Sequence, residues 1–140
     1  MKLKINQIKE LQDALSNLDG YQRAVKVDGA DKLVFQPYSL SGKTRYAIAK
    51  NLRILTTKIS DFNKARDGLI KEISGGQNFI KKEDTENVEK FVARVNELAE
   101  VEDDVDGLIQ FTLAELGLEL ETDLNPFPSS VINGLTLLIK

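Results

Sequence analysis

The sequence predicts an α+β fold that is predominantly α: a long antiparallel helical hairpin with an N-terminal helix, a small β element and a short C-terminal helix. Three observations carry this expectation. Over residues 41–74, apolar side chains fall at Ile48, Leu52, Leu55, Ile59, Phe62, Leu69 and Ile73, with Arg66 at the one skipped place. Steps alternating between four and three keep a single stripe facing a partner along a helix. A second stripe, Val88, Phe91, Val92, Val95, Leu98 and Val101, follows about ten residues later. Two such helices joined by so short a connection pack most simply side by side and antiparallel. Between residues 22 and 37 the period falls towards two around Asp28-Gly29, which marks strands rather than helix. An all-α bundle is the alternative.

In chain order, Lys2 to Ile5 alternates polar and apolar, as a short strand would. Asn6 is an N-cap candidate, because its side chain can accept an unpaired backbone N–H. Ile8, Leu11, Leu15 and Leu18 then define a helix that Asp19-Gly20 is expected to end, with glycine in the left-handed position. Residues 24–27 and 32–35 flank Asp28-Gly29 as a hairpin, because a tight turn demands positive φ. Pro37 stops the second strand, having no N–H to donate. The long helix begins near the hydroxyls of Ser39 and Ser41 and ends at Gly75-Gly76. Gly68 inside it marks a close helix crossing or a bend, since glycine there costs about 1 kcal/mol against alanine. Glu83, Asp84 and Glu86 sit where the next helix starts and complement its dipole. Val105, Gly107, Ile109, Phe111 and Leu113 alternate like a strand, to about Leu113, although Leu108, Phe111, Ala114 and Glu115 would equally fit one face of a helix. Asn125-Pro126-Phe127-Pro128 is extended by its prolines, and Val131, Ile132, Leu135, Leu138 and Ile139 form one face of a docked terminal helix.

A chain of 140 residues is read as a single domain, 1–140, able to bury a working core. It contains no cysteine and no histidine. Disulfides, thiolate chemistry, Ser–His dyads and the usual transition-metal ligands are therefore excluded. Residues 1–6 lack the apolar core of a secretion signal, and the longest mainly apolar run, 131–139, is too short to cross a bilayer. The expectation is a soluble cytoplasmic protein without membrane contact. The net charge of −3 hides a polarity: residues 1–82 hold sixteen basic against eight acidic side chains, and residues 83–140 hold three against fourteen. Halves of +8 and −11 attract each other, within one molecule or between copies.

Two stretches resemble site motifs and fail on a specific residue. Ser41-Gly42-Lys43-Thr44 ends like a phosphate-binding loop, but the motif wants glycine where Pro37 stands. Glu102, Asp104, Asp106 and Gly107 match positions one, three, five and six of a calcium loop. Its closing position, normally a bidentate glutamate, is Leu113. No catalytic, cofactor-binding or metal-binding residue is assigned, and no enzymatic activity is expected.

The outer side of the long helix is more informative. With Ile48 and Leu55 at d and Leu52 and Ile59 at a, Lys43, Lys50, Lys64 and Lys71 all fall at f. Arg45, Arg53 and Lys58 widen this lane, and no acidic residue occurs from Lys43 to Ser60. Lys43, Lys50, Arg53, Lys58, Lys64 and Lys71 are the candidate interaction surface, for a protein partner or a second copy. Nucleic-acid backbone is possible but disfavoured, because the chain is acidic overall and the lane lacks stacking aromatics. Arg66, at an a position, is the candidate register residue, its head reaching an acidic group on the second helix.

The opening stretch Met1-Lys2-Leu3-Lys4-Ile5 with its amphipathic helix, the entry into the long helix from Tyr38 to Asn51, and the closing stretch from Asn125 to Ile139 form a pattern. It resembles small uncharacterised proteins encoded by bacteriophages and prophages. That resemblance implies a context of virion assembly, head or tail accessory work, or phage regulation, in the host cytoplasm. It transfers no functional residue. The function expected is a non-enzymatic interaction, assembly or accessory protein; the alternative is a nucleic-acid-binding regulator using the basic helix face.

Overall fold

The computed structural model describes residues 1–118 and 125–140. The fold is mixed α+β and mainly α, with about half of the described residues helical, which sets the all-α alternative aside. The order is β1 (Lys2–Leu3), α1 (Ile5–Ser16), β2 (Gly20–Val27), β3 (Ala30–Pro37), α2 (Gly42–Ser74), α3 (Thr85–Ala99), β4 (Asp103–Asp104) and α4 (Ser129–Gly134), closed by a 3₁₀ turn at Thr136–Leu138. Among the described residues there are two sheets, each of two antiparallel strands: β1 with β4, and β2 with β3. The chain divides into two compact units, residues 1–9 with 53–107 and residues 10–52 with 108–140.

In the first unit, Lys2 and Leu3 pair with Asp104 and Asp103. Helix α1 starts at Ile5, one residue before the expected Asn6 cap. Ile5 and Ile8 are both buried, and only a helix that includes position 5 sets them one turn apart. The end is tied instead by Gln7, whose Oε1 accepts the Lys4 N–H at 2.9 Å. Helix α3 is capped by Asp84, whose carboxylate accepts from the Asn87 N–H. Gly68 borders neither a crossing nor a neighbour: a Cβ built there meets nothing within 4 Å. With open space around a mid-helical glycine, Gly68→Ala is expected to stabilise the protein by about 1 kcal/mol, read as an upward shift of the urea midpoint at unchanged slope.

The second unit holds the larger share of the core, including Leu11, Leu15, Phe111, Leu116, Leu135 and Leu138, each at most 1% exposed. Its hairpin runs in register from Gly20↔Pro37 to Val27↔Ala30. The two turn residues, Asp28 and Gly29, have φ of 53° and 79°, the positive pair that matches the strand twist. Gly20 is not a helix cap. It has no positive φ and begins β2, where a Cβ would run into the Phe35 ring and the Gln36 carbonyl. Ser41 caps α2, its Oγ accepting from the Thr44 N–H at 3.1 Å. Gly134 lets α4 approach α1, because a Cβ there would stand 2.8 Å from that of Ala14.

The strand expected through residues 105–113 does not form. Among the described residues only Phe111 makes a bridge, parallel to Ile139, with its N–H bonded to Leu138 O at 2.6 Å. The alternating pattern is satisfied by a helix side chain in place of a neighbouring strand. Asn51, fully buried in α2, accepts from the Ile109 N–H at 2.8 Å and donates to the Ile109 carbonyl at 2.9 Å. Asn125, 2% exposed, does the same for Ser39: its Oδ1 accepts from the Ser39 N–H at 2.7 Å and its Nδ2 donates to Ser39 O at 3.0 Å. The same amide also donates to Leu116 O at 2.8 Å. Next to it, Tyr38 meets Phe127 edge-on at 4.4 Å and Tyr21 at 5.3 Å. Burial, and secondarily the neighbouring Tyr21, raises the Tyr38 pKa above the usual tyrosine value.

Candidate interaction surface

Within the first unit, the apolar stripes of α2 and α3 are incompletely covered. After Leu55, which is fully buried, Ile59, Phe62, Leu69 and Ile73 are only half-buried. Helix α3 has no buried residue, although Val88, Phe91, Val95 and Leu98 repeat at helical spacing. Val92 and Val101 are 49% and 59% exposed. A helix this short is marginal without a packed apolar face, so a stripe left half in water is the surface that needs explaining.

Two adjoining hollows lie on this face and share Ala65, Leu98 and Val101. One, of about 220 Å³, has Leu3, Ile5 and Ile8 on its floor beside Phe62. The other, of about 350 Å³, continues past Leu69 towards Arg94 and Glu97. Their rims carry both signs of charge. Lys58 bonds Asp103 at 3.2 Å, and Arg94 bonds Glu72 at 2.8 Å. Lys4 meets Glu100 at 2.6 Å, and that hydrogen bond, with the carboxylate's attraction, raises the lysine pKa. Lys58–Asp103 and Lys4–Glu100 each join a basic N-terminal to an acidic C-terminal residue, so part of the chain's charge polarity is satisfied internally. Exposed pairs of this kind contribute little stability. Their geometric effect is to fence an apolar floor with fixed charges. Lys9 adds a cation 5.2 Å from the centroid of the Phe62 ring. Chemically the surface offers apolar contact with a polar rim, the pattern of a protein-binding patch. Among the described residues no three carboxylates converge as metal ligands. Asp103 and Asp104 of the supposed calcium loop are instead strand residues paired with β1.

Lys43 and Lys50 are exposed in the second unit; Arg53, Lys64 and Lys71 are exposed in the first. None of these five makes an ion pair among the described residues. Lys58 leaves the lane, being half-buried against Asp103. Arg66 does not reach α3: its guanidinium lies 3.5 Å from Asp67, its own neighbour, and Arg94 of α3 makes the link to α2 through Glu72. At Ser41 to Thr44 the hydroxyls bond each other at 3.0 Å and Thr44 is buried, so the segment closes a helix end.

Sequence reasoning passed over Asn51, although the signal was present: Thr44, Ile48, Asn51 and Leu55 follow the four–three–four spacing of a buried stripe, with a polar residue inside it. Comparison with family models, with curated proteins and with solved structures returns no match.

Proposed function

We propose that this chain is a non-enzymatic interaction and assembly protein whose contact surface is the apolar face of α2 and α3. The single observation carrying this reading is that α3, amphipathic over its whole length, buries none of its residues. Its finer architecture is an antiparallel helical hairpin of α3 with the C-terminal part of α2. The short connection, the Arg94–Glu72 bond and the shared lining residues Ala65, Leu69, Leu98 and Val101 support that arrangement. A complementary helix or apolar ridge seated there would cover the half-exposed stripe, as in helix-in-groove recognition. The setting is a phage or prophage accessory role in the host cytoplasm. No helix among the described residues is long and apolar enough to cross a membrane.

Size-exclusion chromatography with light scattering, run at low and high salt, tests the reading. Self-association or partner capture should persist at high salt, since the contact is apolar. Val101→Glu should weaken it at least about tenfold, with little loss of stability because Val101 is 59% exposed. Val101→Glu binding as tightly as the parent would sink this reading.

A second reading, nucleic-acid binding, draws support from the exposed cations of α2 that make no ion pair among the described residues, Lys64 and Lys71 among them. It requires binding that weakens steeply with salt and fails in a Lys50→Glu, Lys64→Glu variant. Absence of binding at low salt disposes of it.

A further inference from the structure

We propose that β3 is an open pairing edge that takes β3 of a second copy, antiparallel about Leu33, to make a four-stranded sheet. The argument begins with burial. No residue of β2 or β3 is buried, and Leu33 and Phe35 are 68% and 55% exposed. An isolated two-stranded hairpin is marginal in water, and this one presents large apolar side chains to solvent. Among the described residues no third strand pairs with either edge.

The register fixes which groups are available. In a hairpin with a two-residue turn, the flanking pair Val27 and Ala30 exchanges both backbone bonds, and alternate pairs follow. Val25↔Lys32, Arg23↔Val34 and Tyr21↔Gln36 are therefore bonded inwards. The N–H and C=O groups of Asp31, Leu33 and Phe35 point out from β3, and those of Gln22, Ala24 and Lys26 point out from β2. Pro37, whose missing N–H is also outward, ends the β3 edge.

The two edges differ in chemistry. β2 carries Arg23 and Lys26 with no acidic residue, and lysine on an edge is a standard guard against pairing. Joining two β2 strands would gather four cations. β3 carries one of each sign, Asp31 and Lys32, and holds the exposed Leu33 and Phe35 at its outward positions. A two-fold axis at Leu33 sets Leu33 against the partner's Leu33, Asp31 against the partner's Phe35 and Lys32 against the partner's Val34. No like charges oppose each other, and an apolar row of Ala24, Leu33 and their mates crosses the new sheet. An edge of eight residues buries less than the roughly 1,000 Å² of a stable interface, so the pairing is concentration-dependent.

Residue-resolved amide exchange from micromolar to millimolar protein reads this directly. Protection of the Asp31, Leu33 and Phe35 amides should rise with concentration, while Lys32, Val34 and Gln36 stay protected throughout and Gln22, Ala24 and Lys26 stay unprotected. Leu33→Lys, which places two ammonium groups on the axis, should raise the dissociation constant at least about tenfold. It should leave the inward amides protected. Concentration-independent exchange at Asp31, Leu33 and Phe35, or protection gained at Gln22, Ala24 and Lys26 instead, overturns the proposal. Because Leu33→Lys and Val101→Glu alter separate surfaces, association lost only with Val101→Glu defeats this inference and leaves the α2–α3 reading standing.

Discussion

Asn51→Leu is expected to lower the free energy of unfolding by about 3 kcal/mol, measured by urea denaturation at neutral pH. The substitution keeps volume and apolar contact, so what is removed is the pair of hydrogen bonds to Ile109. Each backbone group deprived of its partner away from water costs about 1–3 kcal/mol. Two orphaned groups on one residue outweigh the gain from burying a leucine. Against a total stability of about 5–15 kcal/mol for a domain, the loss is large. Asn51→Asp should also destabilise, because it keeps the acceptor for the Ile109 N–H but removes the donor and puts a carboxylate at a fully buried site. If Asn51→Leu matched the parent, the account of residues 105–113 as a segment clamped by a helix side chain would be wrong.

Asn125→Ala should have the largest effect of any single change proposed here, a loss of about 4 kcal/mol. Its side chain satisfies three backbone groups, the Ser39 N–H and the carbonyls of Ser39 and Leu116. Ser39 follows Tyr38, and Phe127 lies two residues beyond Asn125, so the clamp sets the approach of the Tyr38 and Phe127 rings. The near-ultraviolet tyrosine signal should therefore weaken together with the stability. Full retention of that signal with an unchanged urea midpoint would show that the amide does not hold the segment.

These two asparagines show where sequence reasoning reached its limit. The long helix, the Asp28-Gly29 turn, the Asp84 start of α3 and the docked tail were legible because each is encoded locally, by spacing or by a residue that suits one backbone conformation. Ile109 and Asn51 are 58 residues apart in sequence, and Ser39 and Asn125 are 86 apart. Nothing local in Val105 to Leu113 tells an extended segment bonded to a strand from one bonded to a buried amide. Arg66 illustrates a second limit. An a position in a heptad tells which side a residue occupies, but its long side chain turned to Asp67, the adjacent carboxylate. The basic lane was legible as composition. Its interruption at Lys58 depended on where β4 places Asp103.

The aromatic cluster around Tyr38 has a practical consequence for solution work. The chain contains no tryptophan, and its three tyrosines, Tyr21, Tyr38 and Tyr46, all belong to the second unit. Tyrosine emission and absorbance therefore follow the melting of that unit alone, while circular dichroism of the peptide bond follows both. Overlaying the two melting curves measures whether the units unfold as one. The molecule comes with an intrinsic optical label for half of itself.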